Sequence, residues 1–222
     1  MYLSRLMLNP RSRQVQREIA DPYEMHRTVM SAFTDRLAGA ERILFRLEIQ
    51  PRTGIPTLLV QSQERPDWGF LNAPTKNYLL PEAELPEEAE NPAVKPVDLQ
   101  LHTGQVLAFR LRANPTVKKD RPGQNQGRRV GLYREEDQLV WLQRKIDSAG
   151  GTLVSANVAN ETRLHGKLFR QGEKLDLRFL SVQFDGVLQV KDPARLVEAV
   201  HAGLGSGKGL GFGLLSVAPV PP

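Results

Sequence analysis

The sequence predicts an α+β protein of two tandem ferredoxin-like (RRM-like, βαββαβ) domains, and three observations carry that expectation. Alternating runs such as Tyr2–Leu8 and Gln105–Arg112 (QVLAFRLR) have the period of half-buried strands. Segments opening at Asp21-Pro22 and Asp192-Pro193 have the cap and first-turn proline of helix starts. A polar, basic stretch with Gly and Pro divides the 222 residues near the middle. The expected domains are residues 1–113, a basic linker at 114–127, and residues 128–222.

In order, Tyr2–Leu8 reads as a strand and Arg11, Arg13 and Arg17 as an Arg-rich loop. Asp21 is the N-cap of a helix with Pro22 first, and Glu24 completes a capping box. That helix is expected to run to Leu37 and stop at Gly39. Strands follow at 42–49 and 57–63, joined by Pro51-Arg-Thr-Gly54. An acidic, Pro-rich stretch has room for one short helical piece before the strand at 105–112. The second half repeats the order: a strand at 129–132, a helix over 135–148, and a strand at 153–158. A strand region at 175–190, turning at Asp185-Gly186, then precedes a helix from Asp192 to Gly203 and a last strand at 214–217.

Composition bounds the function. The formal charge is +5 with a pI near 9.6, which permits a polyanionic partner without requiring one. Residues 81–92 (PEAELPEEAENP) hold five Glu; outside them 30 basic side chains face 20 acidic ones. Arg110, Arg112, Lys118, Lys119, Arg121, Arg128 and Arg129 stand against Asp120 alone within 110–129. With no cysteine, disulfides and thiolate metal sites are excluded. No Asp/Glu cluster has metal-ligand spacing. The N-terminal apolar run is too short for a signal peptide, and no stretch reaches membrane-spanning length, so a soluble cytoplasmic protein is expected.

The run GLGSGKGLGFG at 203–213 holds Gly203, Gly205, Gly207, Gly209, Gly211 and Gly213. Its N–H groups and Lys208 suit an anion, yet it is no nucleotide loop. A Walker loop needs Gly where Ala202 stands and Ser/Thr where Gly209 stands, and no register fits G-x-G-x-x-G. No nucleotide cofactor is expected.

Tyr23, His26 and Arg27 lie at i, i+3 and i+4, on one face at a helix N-terminus. Orphan N–H groups and the macrodipole there favour a phosphate and lower the pKa of His26. Imidazole, phenol and guanidinium beside an anion site suit metal-free phosphodiester chemistry, in which an RNA 2′-OH attacks its own phosphate. His102, His165 and His201 have no such company and read as structural.

At this point the sequence resembles a family. NPRSR at 9–13, DPYEMHRT at 21–28, FRLRANPT at 109–116 and GLGSGKGLGFGLLSVAP at 203–219 are similar to the CasE-type CRISPR repeat endoribonucleases of the RAMP superfamily. The glycine run fits that superfamily's loop, Gly-h-Gly-x₅-Gly-h-Gly with a basic residue inside. The resemblance implies tandem ferredoxin-like domains that bind the repeat stem-loop and cut once at the 3′ base of the stem without a metal. The product, a guide RNA with a 2′,3′-cyclic phosphate, then stays bound with the other Cascade subunits. It places the catalytic pair on His26 and Tyr23. It also sets a basic hairpin against the RNA, with Arg163, Lys167, Arg170 and Lys174 as its cations. The competing reading is a non-catalytic RNA-binding subunit. No motif accounts for residues 81–92.

Overall fold

A computed structural model of the protein describes residues 1–33, 42–73, 77–119, 128–170 and 173–220. The chain divides into two units. One is Met1–Asp98 with His165–Leu177 and Gly209–Gly211; the other is Leu99–Leu164, Arg178–Lys208 and Phe212–Pro222.

In the first unit, β1 (Tyr2–Met7) leads through α1 (Arg13–Ala20) and α2 (Pro22–Met30) to β2 (Leu44–Ile49) and β3 (Pro56–Ser62), and β4 (Ala93–Pro96) comes last. The sheet order is β2-β3-β1-β4, every neighbour antiparallel, which is the ferredoxin-like order. The alternation of β1 places Ser4 and Leu6 inward, and Leu8 follows in the same phase. Leu6, Leu8, Phe45, Leu58, Val60, Met25 and Val29 form the core between sheet and helices. Burying each such side chain is worth about 1.5–3 kcal/mol. Where a second helix belongs in this order, the chain between β3 and β4 makes two short 3₁₀ turns, Gly69–Leu71 and Glu82–Glu84. The acidic stretch is tied down at both ends. Glu84 pairs with Arg11, and the Asn91 side chain accepts from Met7 N–H and donates to Met7 C=O, both at 2.8 Å.

Two expectations near the N-terminus are corrected. The segment with Arg13 and Arg17 is not a loop but α1, capped by Ser12, whose Oγ accepts from Val15 N–H at 3.5 Å. Val15 and Ile19, four apart, give it an inward edge against the core. Helix α2 ends at Met30, and the expected continuation through 34–39 lies outside the described residues.

The second unit takes β5 (Val106–Ala113), β6 (Thr116–Lys119), β7 (Arg128–Gly131), α3 (Glu135–Ser148), β8 (Gly151–Arg170), β9 (Glu173–Val190), α4 (Pro193–Ala202) and β10 (Leu215–Pro219). Its sheet order is β10-β5-β9-β8, again ferredoxin-like, with β5 as the first strand and β10 as the last. The strand at 105–112, expected to close the first domain, therefore opens the second. It pairs with β9 over Val106–Ala113 and with β10 over Leu107–Leu111. Its inward residues Leu107, Phe109 and Leu111 are buried with Trp141, Phe184, Leu188 and Leu196. The expected linker is instead partly strand: β6 pairs antiparallel with β7, an insertion between β5 and α3, while 120–127 lie outside the described residues. The expected turn at Asp185-Gly186 is continuous β9. Gly186 faces Phe109 in register, and a Cβ there would stand 2.2 Å from Ser155 O and 2.8 Å from the Phe109 ring. A glycine at that place allows close strand approach rather than reversal.

Candidate active site and RNA-contacting residues

Helix α2 begins where its sequence says. Asp21 is the N-cap, its carboxylate accepts from Tyr23 N–H at 3.0 Å, and Pro22 opens the helix. The capping box is only half made. The Asp21 amide donates to Arg17 C=O at 3.0 Å, closing α1, so Glu24 has no orphan donor to reach back to. Glu24 instead pairs with Arg27 at 3.2 Å. This local chemistry also closes the anion site expected at the helix N-terminus. Pro22 has no N–H, Tyr23 N–H is taken by Asp21, and Glu24 and Met25 N–H both point to Asp21 C=O. A phosphate near α2 must be held by side chains.

Those side chains line one open groove of about 640 Å³ along α1 and α2, which includes Tyr23, His26, Arg27, Arg17 and Glu18. The expected face of Tyr23, His26 and Arg27 is thus brought together. The His26 ring lies over Phe45 of β2, centroids 6.3 Å apart and planes 21° apart. Burial lowers the His26 pKa below its ordinary value, so neutral imidazole prevails near neutral pH. The direction is the one expected; its cause is desolvation rather than the helix end.

Gly209 and Gly211, which belong to this same unit, border these rings. A Cβ built on Gly209 would stand 3.6 Å from His26 Cε1, 3.8 Å from Nδ1 and 3.9 Å from Nε2. A Cβ on Gly211 would stand 3.1 Å from the Phe45 ring. The glycine at 209 therefore keeps space beside the imidazole nitrogens open.

Two residues of the groove were not legible as functional. Arg17, exposed on α1, has no carboxylate partner among the described residues and adds a second cation beside Arg27. Glu18 is buried at 4% exposure. Its Oε1 accepts from Gln14 Nε2 and Thr28 Oγ1, both at 2.7 Å, and its Oε2 accepts from the Tyr78 hydroxyl at 2.5 Å. The carboxylate thereby fastens α1 to α2 and fixes the helix that carries His26. Burial, then the Glu18 charge and its hydrogen bond, push the Tyr78 hydroxyl pKa far up, so it stays a donor. The signal for both residues was the Ser12 cap, which starts a helix three residues before the first inward side chain.

The other expected residues fall in the second unit. Arg110 makes a bidentate pair with Asp185, at 2.7 and 2.8 Å, across β5 and β9. Arg112 donates to Ser181 Oγ at 2.7 Å and lies 5.8 Å from the Phe212 ring centroid. Both are thus committed to the sheet. Lys118 and Lys119 on β6 are exposed, as is Arg129 on β7. Lys118 stands opposite Arg129 in register and Lys119 opposite Arg128. Like charges directly across a ladder destabilise it. Arg163 lies on β8, over the Tyr133 ring. Lys167 and Arg170 are on β8 and Lys174 on β9; their side chains lie outside the described residues. Lys208 donates to Ala202 C=O at 2.6 Å, placing its charge at the carbonyl end of α4.

The glycine run itself is a compact turn. Gly203, Gly205, Gly207, Gly211 and Gly213 all have φ between +73° and +90°. At Gly213 a side chain is doubly barred, since a Cβ would come 2.8 Å from Leu204 C=O. Leu204 N–H donates to Gly213 C=O and Gly213 N–H to Arg112 C=O, stitching the turn to β5. The backbone demands glycine here for its own conformation.

The groove of the first unit, with a neutral imidazole, a phenol and two guanidinium groups, suits acid–base chemistry on an RNA phosphodiester. The sequence matches the family described as CRISPR associated protein over residues 1–219, and the chain belongs to that family, in its CasE type. It is 37% identical to the CRISPR-associated endoribonuclease Cse3 of Thermus thermophilus, covering 99% of this chain and 100% of that one. It is 29% identical to the CRISPR system Cascade subunit CasE of Escherichia coli, again over 99% and 100%. Its fold is similar to the solved structure of CRISPR endoribonuclease Cse3 bound to a 19 nt RNA, with a TM-score of 0.82, 36% identity and coverage of 99% and 100%. No helix among the described residues is long and apolar enough to cross a membrane.

Proposed function

We propose that the protein is a cytoplasmic endoribonuclease that binds the stem-loop of CRISPR repeat RNA, cuts at the 3′ base of the stem and remains on its product as a Cascade subunit. The observation that carries this reading is His26, neutral by burial, in a groove with Tyr23, Arg17 and Arg27, with Gly209 leaving its nitrogens approachable. The relatives' names support the same reaction class.

In the reaction, neutral His26 takes the proton of the 2′-OH next to the scissile phosphate. The 2′-oxygen bonds to phosphorus and the P–O5′ bond breaks. The departing O5′ takes a proton from solvent water, leaving a 2′,3′-cyclic phosphate and a 5′-OH. Tyr23 donates a hydrogen bond to the phosphate oxygens, and Arg17 and Arg27 oppose the charge that gathers there. Acid–base help of this kind is worth about 10²–10⁴-fold.

The stem is held through its phosphates. An A-form helix offers shape and phosphate rather than base edges in its deep groove. The stacked cations of Lys118, Lys119 and Arg129 become favourable once a phosphate row lies over them. Incubation with a repeat stem-loop RNA and analysis of both product ends tests the proposal. A single cut at the stem foot with a cyclic phosphate supports it; a 3′-OH product, or binding without any cut, overturns it.

A further inference from the structure

We propose that Tyr133 and Arg163 form a stacking platform for one unpaired nucleobase of the bound RNA, an inference that rests on the RNA-binding reading above. Tyr133 is the most exposed large apolar side chain among the described residues, at 61%. Its support is nevertheless fixed. Leu132 N–H donates to Pro115 C=O at 3.0 Å, and Leu132 C=O accepts from Gln138 Nε2 at 3.0 Å. Gln138 is wholly buried, so a rigid strand-to-helix corner carries an aromatic ring that the core does not use. A core role would bury the ring; here burial contributes little.

The surroundings keep the ring open. Position 131 is glycine, and even a Cβ there would come 3.4 Å from Tyr133 Cζ and Oη, so no side chain at 131 covers it. The Arg163 guanidinium lies 5.8 Å from the ring centroid and has no carboxylate partner among the described residues. The nearest acid along its strand, Glu161, is occupied by Gln138 Nε2 at 2.7 Å. A phenol ring with an unneutralised guanidinium over it offers a base what it stacks on best: a π surface and a planar cation. A phosphate would be served by the guanidinium alone and gives no reason for the ring. Paired bases bury their faces in the stem, so the occupant is an unpaired base. The adjoining β6–β7 hairpin, ending at Gly131, carries Lys118, Lys119 and Arg129 for the backbone of the same RNA.

The test compares two RNAs, the repeat stem-loop with its single-stranded flanks and a blunt duplex of the stem alone, against wild type, Tyr133→Ala and Tyr133→Trp. Tyr133→Ala should weaken binding of the flanked stem-loop by about 5- to 150-fold, the range for losing one base–aromatic stack, and Tyr133→Trp should preserve it. The blunt duplex should bind both variants as it binds wild type. Tyr133→Ala binding the flanked RNA with wild-type affinity, or losing both RNAs equally, overturns the platform. Wild type binding neither RNA overturns the RNA-binding reading itself.

Discussion

Replacing Gly209 with Ala puts one methyl group where the account places the reacting atoms. A Cβ there stands 3.6–3.9 Å from three atoms of the His26 ring, an ordinary van der Waals contact that requires no shift in the fold. Gly209 is not among the glycines with positive φ, so alanine fits its backbone. Where the backbone is compatible, Gly→Ala stabilises by about 0.4–1 kcal/mol through the unfolded state. Thermal stability should therefore hold or rise slightly. Catalysis should not, because the 2′-OH must come within about 2.6–3.2 Å of an imidazole nitrogen. A methyl already 3.8–3.9 Å from both nitrogens competes for that space. Displacing the reacting group by about 1 Å costs on the order of 10²-fold in rate. The assay is single-turnover cleavage of repeat RNA beside a binding isotherm and a melt on the same preparation. Wild-type cleavage by Gly209→Ala refutes the placement of substrate beside this face of His26; so does a rate loss matched by an equal loss of affinity.

Four further outcomes follow from the same structure. The His26 pKa is lowered, so the acid limb of the cleavage rate should fall below the pH at which a free histidine titrates, about 6.5. For stability the sign runs the same way: above that pH both states are neutral, whereas below it the unfolded chain takes up the proton first, and His26 therefore subtracts stability as pH falls. Urea melts on wild type and His26→Phe, whose difference should widen with acidity, check this. Tyr78→Phe removes one of three donors from the buried Glu18 carboxylate and should cost about 1–3 kcal/mol in denaturant unfolding; an unchanged midpoint contradicts the network. Replacing Lys118 and Lys119 together with Ala should flatten the dependence of log K on log salt by about 1.4–1.8, while cleavage of saturated RNA continues; an unchanged slope excludes both from the phosphate contacts.

Much of the fold was legible because its signals are local. Asp21-Pro22 and Asp192-Pro193 set their helices by caps within one turn, and the alternation of QVLAFRLR identified β5 at once. What alternation cannot state is the partner. The apolar face of β5 fits either sheet, and its pairing with β9 closes about 75 residues away in sequence. Helix α1 escaped because five of its eight residues are polar, leaving Val15 and Ile19 to mark the inward edge. Gly186 read as a turn because glycine signals both reversal and close approach, and only the Phe109 ring opposite decides between them. At the site, the residues Tyr23, His26 and Arg27 followed from helical spacing. The vacancy at Gly209 came from a segment 183 positions further on, where spacing along the chain carries no information. The expected phosphate cradle at the start of α2 failed for a reason present in the sequence: a cap that satisfies the helix N–H groups leaves none for a ligand.

The central claim is that His26 performs the chemistry and that the RNA supplies its own nucleophile. Single-turnover cleavage in EDTA, with wild type and His26→Ala on repeat RNA and on the same RNA carrying a 2′-deoxy at the scissile nucleotide, tests it most directly. Wild type should cleave to a cyclic phosphate, His26→Ala should lose about 10²–10⁴-fold in rate at unchanged affinity, and the deoxy RNA should stay uncut. Cleavage by His26→Ala at the wild-type rate, or cleavage of the deoxy RNA, contradicts it.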